Sequence, residues 1–186
     1  MPTFPDLTPP LSDGVIELRE ASEWDIPDIL IAHQDDPQLY RSVGLIRVPS
    51  GAELGRWMER EPAERAAGSR LRLTIVEPGQ RTCRGQIDIH NVSWTDRRAE
   101  LGIWLAPRYR GRGLAGRALR LTAAWLTDRC GLQRLCLITE PGNRAMLGAA
   151  RAAGFMLDPL RTDDAAGPVR LCLTAAAARA TGPDCR

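Results

Sequence analysis

One stretch of the sequence combines residue types that suit phosphate binding: AELGIWLAPRYRGRGLA, residues 99–115. Its pattern predicts an apolar strand, a bend with glycines at 111 and 113, and the start of a helix. Glycine allows backbone angles and close approaches that a side chain blocks, and the first turn of a helix leaves amide N–H groups without partners. Since Arg108, Arg110 and Arg112 add positive charge, we expect the bend to bind a phosphate group.

A carboxylate and an imidazole lie where they could move a proton near that bend. Glu100 shares the polar face of the strand with Trp104, so it is the first candidate for a general base, directly or through a water molecule. A surface carboxylate paired with Arg97 or Arg98 is the alternative for Glu100. His90 lies on the polar face of the preceding strand, and an imidazole titrates near neutrality, which suits proton transfer. An ordinary structural hydrogen bond is the alternative for His90.

The other reactive residue types form no catalytic or metal-binding pattern. The cysteines are Cys83, Cys130, Cys136, Cys172 and Cys185. They contain no CxxC pair and no metal-ligand spacing, so we expect reduced thiols and no metal. Cys136 in an apolar strand and Cys130 at a helix end have no histidine in a recognisable motif nearby, which argues against a cysteine nucleophile. His33, on a helix face, is predicted to be structural, and Asp88, near His90, is a candidate for binding a cationic amine.

Hydrophobic periodicity predicts the elements that must position these residues. The predicted order is β-α-α-β-β-β-α-β-α-β-β. The segments are a strand from 15, a helix capped by Ser22, a helix over 50–67 that Pro62 kinks or splits, strands at 71–76, 83–92 and 99–105, a helix from 114 that Gly131 ends, a strand at 134–139, a helix opened by Asn143, and strands near 155–160 and 169–174. An antiparallel N-terminal half followed by a βαβ unit predicts a mixed α/β sheet with helices on both faces.

Length and composition favour one domain in an intracellular setting. The 186 residues fit a single domain over 14–175, with an extended tail at 1–13 that lies along it and an unanchored tail at 176–186. The formal net charge of +2, carried entirely by arginine on the basic side, predicts no nucleic-acid or membrane partner. The first residues lack the features of a signal peptide and no apolar run reaches the roughly 18 residues of a membrane span, so we expect a cytoplasmic protein.

Two well-known phosphate-binding patterns compete for the bend. A P-loop requires GxxxxGK[ST], and the chain has no lysine at all. Gly111, Gly113 and Gly116 do spell the GxGxxG of a dinucleotide-binding turn. In that fingerprint, however, the turn follows the strand directly, whereas APRYR intervenes here. The nicotinamide-binding interpretation is therefore less favoured.

The segment Arg110–Ala115 resembles the R/Q-x-x-G-x-G/A signature of the GNAT superfamily of acetyl-CoA-dependent N-acetyltransferases. Downstream, Asn143-Arg-Ala and then Gly154-Phe155 resemble the second cofactor-side motif of that family. In detail the chain is most similar to the RimJ/RimL-type branch, which includes acetylases of ribosomal-protein N-termini. The resemblance implies the GNAT fold, acetyl-CoA as acetyl donor, and a primary amine as acceptor. The branch favours a protein N-terminal α-amino group, while a small amine, antibiotic or polyamine remains open, and a homodimer is possible.

The resemblance also implies roles for individual residues. The backbone of the strand end would hydrogen-bond the pantetheine arm as an added strand, with one N–H facing the thioester oxygen. The bend amides would hold the pyrophosphate, and an asparagine would lie near the thioester. The implied cofactor-binding residues are Ile103, Trp104, Leu105, Arg110, Gly111, Arg112, Gly113, Leu114, Ala115 and Asn143.

The chain departs from the family pattern in the helix after Asn143. Met146 stands where a serine or alanine is frequent, and Ala150 stands where many members have a tyrosine. No obvious general acid remains there. Either the thiolate leaves unaided, which its moderate basicity permits, or a residue such as Tyr40 supplies the proton. A domain that binds acyl-CoA without turnover is the third possibility.

Overall fold

The computed structural model describes residues 2–158 and 167–181. In this part of the chain the strands are β1 (Leu11–Ser12), β2 (Glu17–Glu20), β3 (Leu71–Val76), β4 (Gly85–Ser93), β5 (Arg98–Leu105), β6 (Arg134–Thr139), β7 (Met156–Leu157) and β8 (Val169–Thr174). The helices are α1 (Ile26–Asp35), α2 (Leu39–Ser42), α3 (Gly51–Ala66), α4 (Leu114–Asp128), α5 (Arg144–Ala152) and α6 (Ala175–Thr181). The predicted central elements are confirmed, while β1, α2 and α6 are additional.

The strands form one mixed sheet in the order β1-β2-β3-β4-β5-β6-β8-β7. Strands β1 to β5 pair antiparallel, and β5 pairs parallel with β6 across the α4 crossover. The predicted combination of an antiparallel half with a βαβ unit is therefore confirmed. Helices cover both faces, as that combination requires.

Side-chain alternation along β5 divides the sheet into two faces. Ala99 and Leu101 lie in the main core, which includes Leu114 and Leu119 of α4. Trp104 points the other way and packs against a smaller cluster of side chains from α1 and α3. Because side chains alternate along a strand, Glu100 and Gly102 face the α1–α3 side together with Trp104.

A buried carboxylate fixes the start of α1 against the sheet. Asp25 is fully buried; its carboxylate accepts hydrogen bonds from the Ser22 amide (3.0 Å), the Thr74 hydroxyl (2.6 Å) and the guanidinium of Arg19 (2.5 Å). Ser22 is an N-cap as predicted, but it caps a 3₁₀ turn, Glu23–Asp25, that leads into α1. These bonds compensate for the cost of burying a charged group, and they fix the start of α1 against the sheet.

The first and last described segments of the chain both pack against the domain. Phe4 and Leu7 are buried in the main core, and β1 pairs with β2, so the N-terminal segment lies along the domain as expected. At the other end, Ala178 of α6 is buried in the same core, which anchors a helix that the sequence left unanchored. Pro62 lies within the single helix α3 and does not split it.

The expectation that all cysteines are reduced thiols is wrong for one pair. Cys136 and Cys172 form a disulfide, with their Cα atoms 4.1 Å apart. They are register partners in the antiparallel β6–β8 ladder, where directly opposed side chains point to the same face. Among the described residues, Cys83 and Cys130 are free, and burial raises the pKa of both thiols, that of Cys130 to about 12.

Candidate active site

The sheet opens into a gap between β5 and β6. The two strands pair only over residues 98–100 and 134–136, so within the described chain β5 continues to Leu105 with no partner strand on that side. The amide of Ala106 bonds the carbonyl of Arg84 on the β4 side (2.9 Å). Since strand amides alternate in direction, the backbone groups of Ile103 and Leu105 face the gap. The gap therefore presents free strand edge to an extended ligand.

The structure does not support one of the predicted backbone contacts to the pantetheine arm, that of Trp104. Its carbonyl oxygen lies directly against Gly85 of β4, so its backbone polar groups face the sheet interior rather than the gap. Its indole instead contributes to the cavity described below.

The bend after β5 forms an anion-binding cradle at the start of α4. The first hydrogen bond of α4 runs from the amide of Arg117 to the carbonyl of Gly113 (3.2 Å), so the amides of 114–116 have no helical acceptor. The amides of 111–113 likewise donate to no carbonyl among the described residues. Gly111 and Gly113 both have φ of 73°, and nothing lies within 4 Å of where a Cβ would stand. Exposed amides in this conformation suit a phosphate.

The arginine side chains of the bend serve mainly to hold it in place. Arg110 bonds the carboxylate of Asp36 (2.8 Å) and the carbonyl of Leu105 (3.0 Å), and so ties the end of α1 to the end of β5. Burial alone raises the pKa of Asp36, but the hydrogen bonds from Arg110 and from the Gln38 amide, together with the positive charge of Arg110, outweigh it and the pKa is lowered. Arg112 and Arg108 lie over the ring of Tyr109, at 5.9 and 5.6 Å.

Glu100 and His90 are brought together on the α1–α3 face. They are register partners on β4 and β5, and the His90 Nε2 lies 3.9 Å from a Glu100 carboxylate oxygen. The other ring nitrogen of His90 lies 3.8 Å from the carboxylate of Asp88. Imidazole is a side chain commonly used for proton transfer, so His90 is a candidate base on the face of the sheet that lines the cavity.

Two residues that the sequence did not single out hold Glu100. Arg170 of β8 donates to one carboxylate oxygen, and the side-chain nitrogen of Asn91, Nδ2, donates to the other (2.8 Å). Asn91 has φ of 48° at a β-bulge that follows His90, and the bulge turns its side chain back toward Glu100. Since both oxygens of Glu100 are engaged, His90 is the better candidate for the base.

A cavity of about 1030 Å³ adjoins these groups. On the helix side the lining includes an apolar patch, which Trp104 of β5 adjoins, together with three polar side chains. The patch consists of Ile29, Leu54, Trp57 and Met58, and the polar residues are His33, Arg60 and Glu64. The strand side carries Asp88, His90 and Glu100, and the β6 side carries Thr139 and Asn143. Tyr40 is not among the lining residues, and its hydroxyl accepts a hydrogen bond from Arg41 (2.9 Å), so it is not placed to protonate a leaving group.

Comparison with known proteins identifies the family. The profile of the acetyltransferase (GNAT) domain matches residues 16–156, more than half of the chain. The chain belongs to the GNAT acetyltransferases. A protein of Bacillus subtilis (strain 168) named as a ribosomal N-acetyltransferase, YdaF, is 28% identical over 72 residues, 39% of each chain. The spermidine N(1)-acetyltransferase of Escherichia coli (strain K12) is 31% identical over 90 residues, 48% of this chain and 47% of that one.

The chain thus matches less than half the length of these curated relatives. Over the whole fold, the spermidine N-acetyltransferase of Vibrio cholerae, solved in complex with CoA and spermine, superposes with a TM-score of 0.74 and 15% identity, covering 90% of this chain and 99% of that one. At this identity the likeness concerns the fold.

GNAT acetyltransferases use acetyl-CoA as the acetyl donor, and the geometry observed here fits that donor. The gap beside Ile103 and Leu105 leads from the cavity to the glycine cradle, so the thioester end and the pyrophosphate end have separate places. No cluster of metal-ligating side chains occurs within the residues described. In the same part of the chain, no helix is long and apolar enough to cross a membrane.

The side chain of Asn143 caps α5 in this acetyltransferase. Its oxygen accepts a hydrogen bond from the amide of Met146 (3.0 Å). We expect Asn143→Ala to lower the free energy of unfolding by about 1 kcal/mol, measured by urea denaturation, because the cap is lost. Asn143→Asp should keep most of the wild-type free energy of unfolding, since aspartate also caps helices. Equal loss in both variants would show that the amide has another structural role.

Proposed function

We propose that this acetyltransferase acts on the N-terminal α-amino group of a protein or peptide. The similarity to YdaF supports this acceptor, whereas the similarity to a spermidine acetyltransferase supports a polyamine. The charge of the cavity favours the peptide. A polyamine carries several cationic groups and needs unneutralised carboxylates to bind them.

The carboxylates nearest the gap are already neutralised. Two nitrogens of the Arg70 guanidinium donate hydrogen bonds to the carboxylate of Asp88, Nε at 2.8 Å. Arg170 donates to the carboxylate of Glu100. Burial alone raises the pKa of Asp88, but these bonds and the nearby arginine charges outweigh it and the pKa is lowered. This region therefore offers little net negative charge to a second ammonium group.

The rest of the cavity lining is also close to neutral. Glu64 and Glu140 line it, but so do the exposed side chains of Arg41 and Arg60, for which the structure describes no carboxylate partner. A single α-amino group fits this balance better than a polyamine. An α-amino group also loses its proton more readily than a lysine side chain, with reference pKa values of about 7.7–8.0 and 10.4.

Under this proposal each group has a defined task. Acetyl-CoA supplies the acetyl group as a thioester: the bond from the amine nitrogen to the carbonyl carbon forms, and the carbon–sulfur bond breaks. His90 takes the proton from the amine, and Glu100 holds the imidazole in place. The Leu105 amide, which faces the gap, would polarise the carbonyl oxygen. The thiolate leaves without an acid, because a thiol with pKa of about 8.5 is a fair leaving group.

Thiol release from acetyl-CoA with a panel of acceptors tests the proposal. We expect turnover with short peptides that have a free N-terminus, and at least about tenfold lower kcat/KM with spermidine, spermine and N-terminally blocked lysine peptides. Faster turnover of a polyamine would contradict the peptide assignment. Binding of coenzyme A by calorimetry, without turnover of any acceptor, would instead indicate an acyl-CoA-binding module.

A further inference from the structure

Gly102 occupies the middle of β5, where the fold itself does not require a glycine. A glycine inside a strand costs stability and marks a bulge, a bend or a close approach by another group. A Cβ at Gly102 would lie 3.8 Å from Cε1 of His90 and 3.9 Å from Cβ of Asp88, which are ordinary contact distances. Its φ is also outside the left-handed region. Nothing within the described chain therefore excludes a side chain at this position.

Gly85, on the neighbouring strand, shows the contrast. A Cβ there would collide with the backbone oxygen of Trp104 and with Leu105, so packing of the two strands requires that glycine. No such contact explains Gly102, and the absence of a side chain there leaves open space in the cavity that it lines.

The space over Gly102 joins two chemically different parts of the cavity. Glu100 and Trp104 flank it on the same face of β5, and His90 and Asp88 lie beside it on β4. An amine near His90 would therefore have its α-carbon and first side chain close to Gly102. A bulkier residue at this position would fill the same space.

The far side of this space is an apolar wall. Ile29 and Leu54 are buried behind it, and Trp57 and Met58 are only partly buried, so their remaining surface lines the cavity. Trp104 adjoins this surface from the β5 side. Apolar surface of this kind gains free energy when an apolar side chain covers it. A smaller side chain would cover less of this surface and gain less free energy.

We propose that Gly102 determines the size and class of the acceptor: it leaves room for a peptide N-terminus whose first side chain is large and apolar. This inference rests on the proposed function, since it concerns the same amine site. According to this proposal, the site recognises the first residue of the acceptor peptide. The amine of that residue lies at His90, and its side chain lies between Gly102 and the apolar wall.

Peptides that differ only in their first residue test this inference. With the wild-type protein, kcat/KM for peptides that begin with leucine or phenylalanine is expected to exceed that for the glycine peptide by about tenfold, the usual gain for filling an apolar pocket. In Gly102→Val this preference is expected to disappear, with a loss of about tenfold for the leucine peptide and little change for the glycine peptide. Gly102→Ala should fall between them.

Controls separate specificity from folding. Valine is favoured in strands, so Gly102→Val should fold, and its affinity for coenzyme A by calorimetry should equal that of the wild type. Gly55→Ala on α3 adds a Cβ that contacts nothing within 4 Å and lies outside the cavity lining, so its preference should be unchanged.

The outcomes distinguish the two proposals. If the wild type acetylates no peptide, the proposed function fails. The wild type acetylates peptides in the remaining outcomes. If Gly102→Val then keeps the wild-type preference, or loses activity equally with all the peptides, Gly102 does not determine acceptor specificity and this inference is overturned.

Discussion

His90→Ala is expected to lower kcat by about a hundredfold to ten-thousandfold, the contribution typical of a positioned general base. The imidazole lies between the carboxylates of Asp88 and Glu100, at 3.8 and 3.9 Å, on the face of the sheet that lines the cavity. Without it the proposed amine site loses the group that takes the proton. Steady-state kinetics with a peptide acceptor at saturating acetyl-CoA would measure the loss.

Two further measurements assign the role of the imidazole. Calorimetry should show unchanged affinity of His90→Ala for coenzyme A, because the cradle at 111–116 is separate, and added imidazole should restore part of the activity. Glu100→Gln should cost only about tenfold, since Glu100 orients the base and does not take the proton. If Glu100→Gln loses far more activity than His90→Ala, and imidazole has no effect, then Glu100 is the base.

The predictable part of the site is the part that depends on local sequence. The alternation AELGIWL placed Glu100 and Trp104 on one face of β5, and the paired strand β4 brought His90 opposite Glu100. The glycines and the helix start of the bend predicted the cradle, because positive φ and free amides are local properties. Such features do not depend on distant parts of the chain.

The partners of Glu100 could not be predicted in the same way. Arg170 lies 70 residues further along the chain and reaches Glu100 only because β8 pairs with β6 in the sheet. Asn91 reaches it through a bulge, and no periodic pattern indicates where a strand will bulge. These two contacts are the reason for proposing His90 rather than Glu100 as the base, and the sequence alone left that choice open.

The cysteine expectation failed for a related reason. Both Cys136 and Cys172 were placed in strands, but an antiparallel pairing of those strands, in the register that sets the two residues opposite each other, was needed to join them. Register is a tertiary property, set by which face each strand buries. The spacing of 36 residues by itself carried no signal.

Gly113→Val is expected to weaken the binding of coenzyme A by about a hundredfold. Gly113 has φ of 73°, where a residue with a side chain costs roughly 1–2 kcal/mol and a β-branched one is particularly unfavourable. The bend would move away from this conformation, and at least one amide would lose a charge-assisted bond to the pyrophosphate, worth about 1.5–3 kcal/mol. The two effects together amount to about 2.5–5 kcal/mol, and since 1.4 kcal/mol is about tenfold in affinity, a loss of about a hundredfold is a conservative expectation. Calorimetry with coenzyme A would measure it.

A matched glycine and a shortened ligand isolate the cause. Gly79 has φ of 74° and open space around its Cβ, but it lies in the turn between β3 and β4, so Gly79→Val introduces the same backbone strain away from the cradle. Its affinity for coenzyme A should equal that of the wild type. Pantetheine lacks the pyrophosphate, so its weaker binding should be the same in wild type and Gly113→Val. Equal weakening of pantetheine and coenzyme A by Gly113→Val would mean that the bend supports the gap beside β5 and does not hold the phosphates.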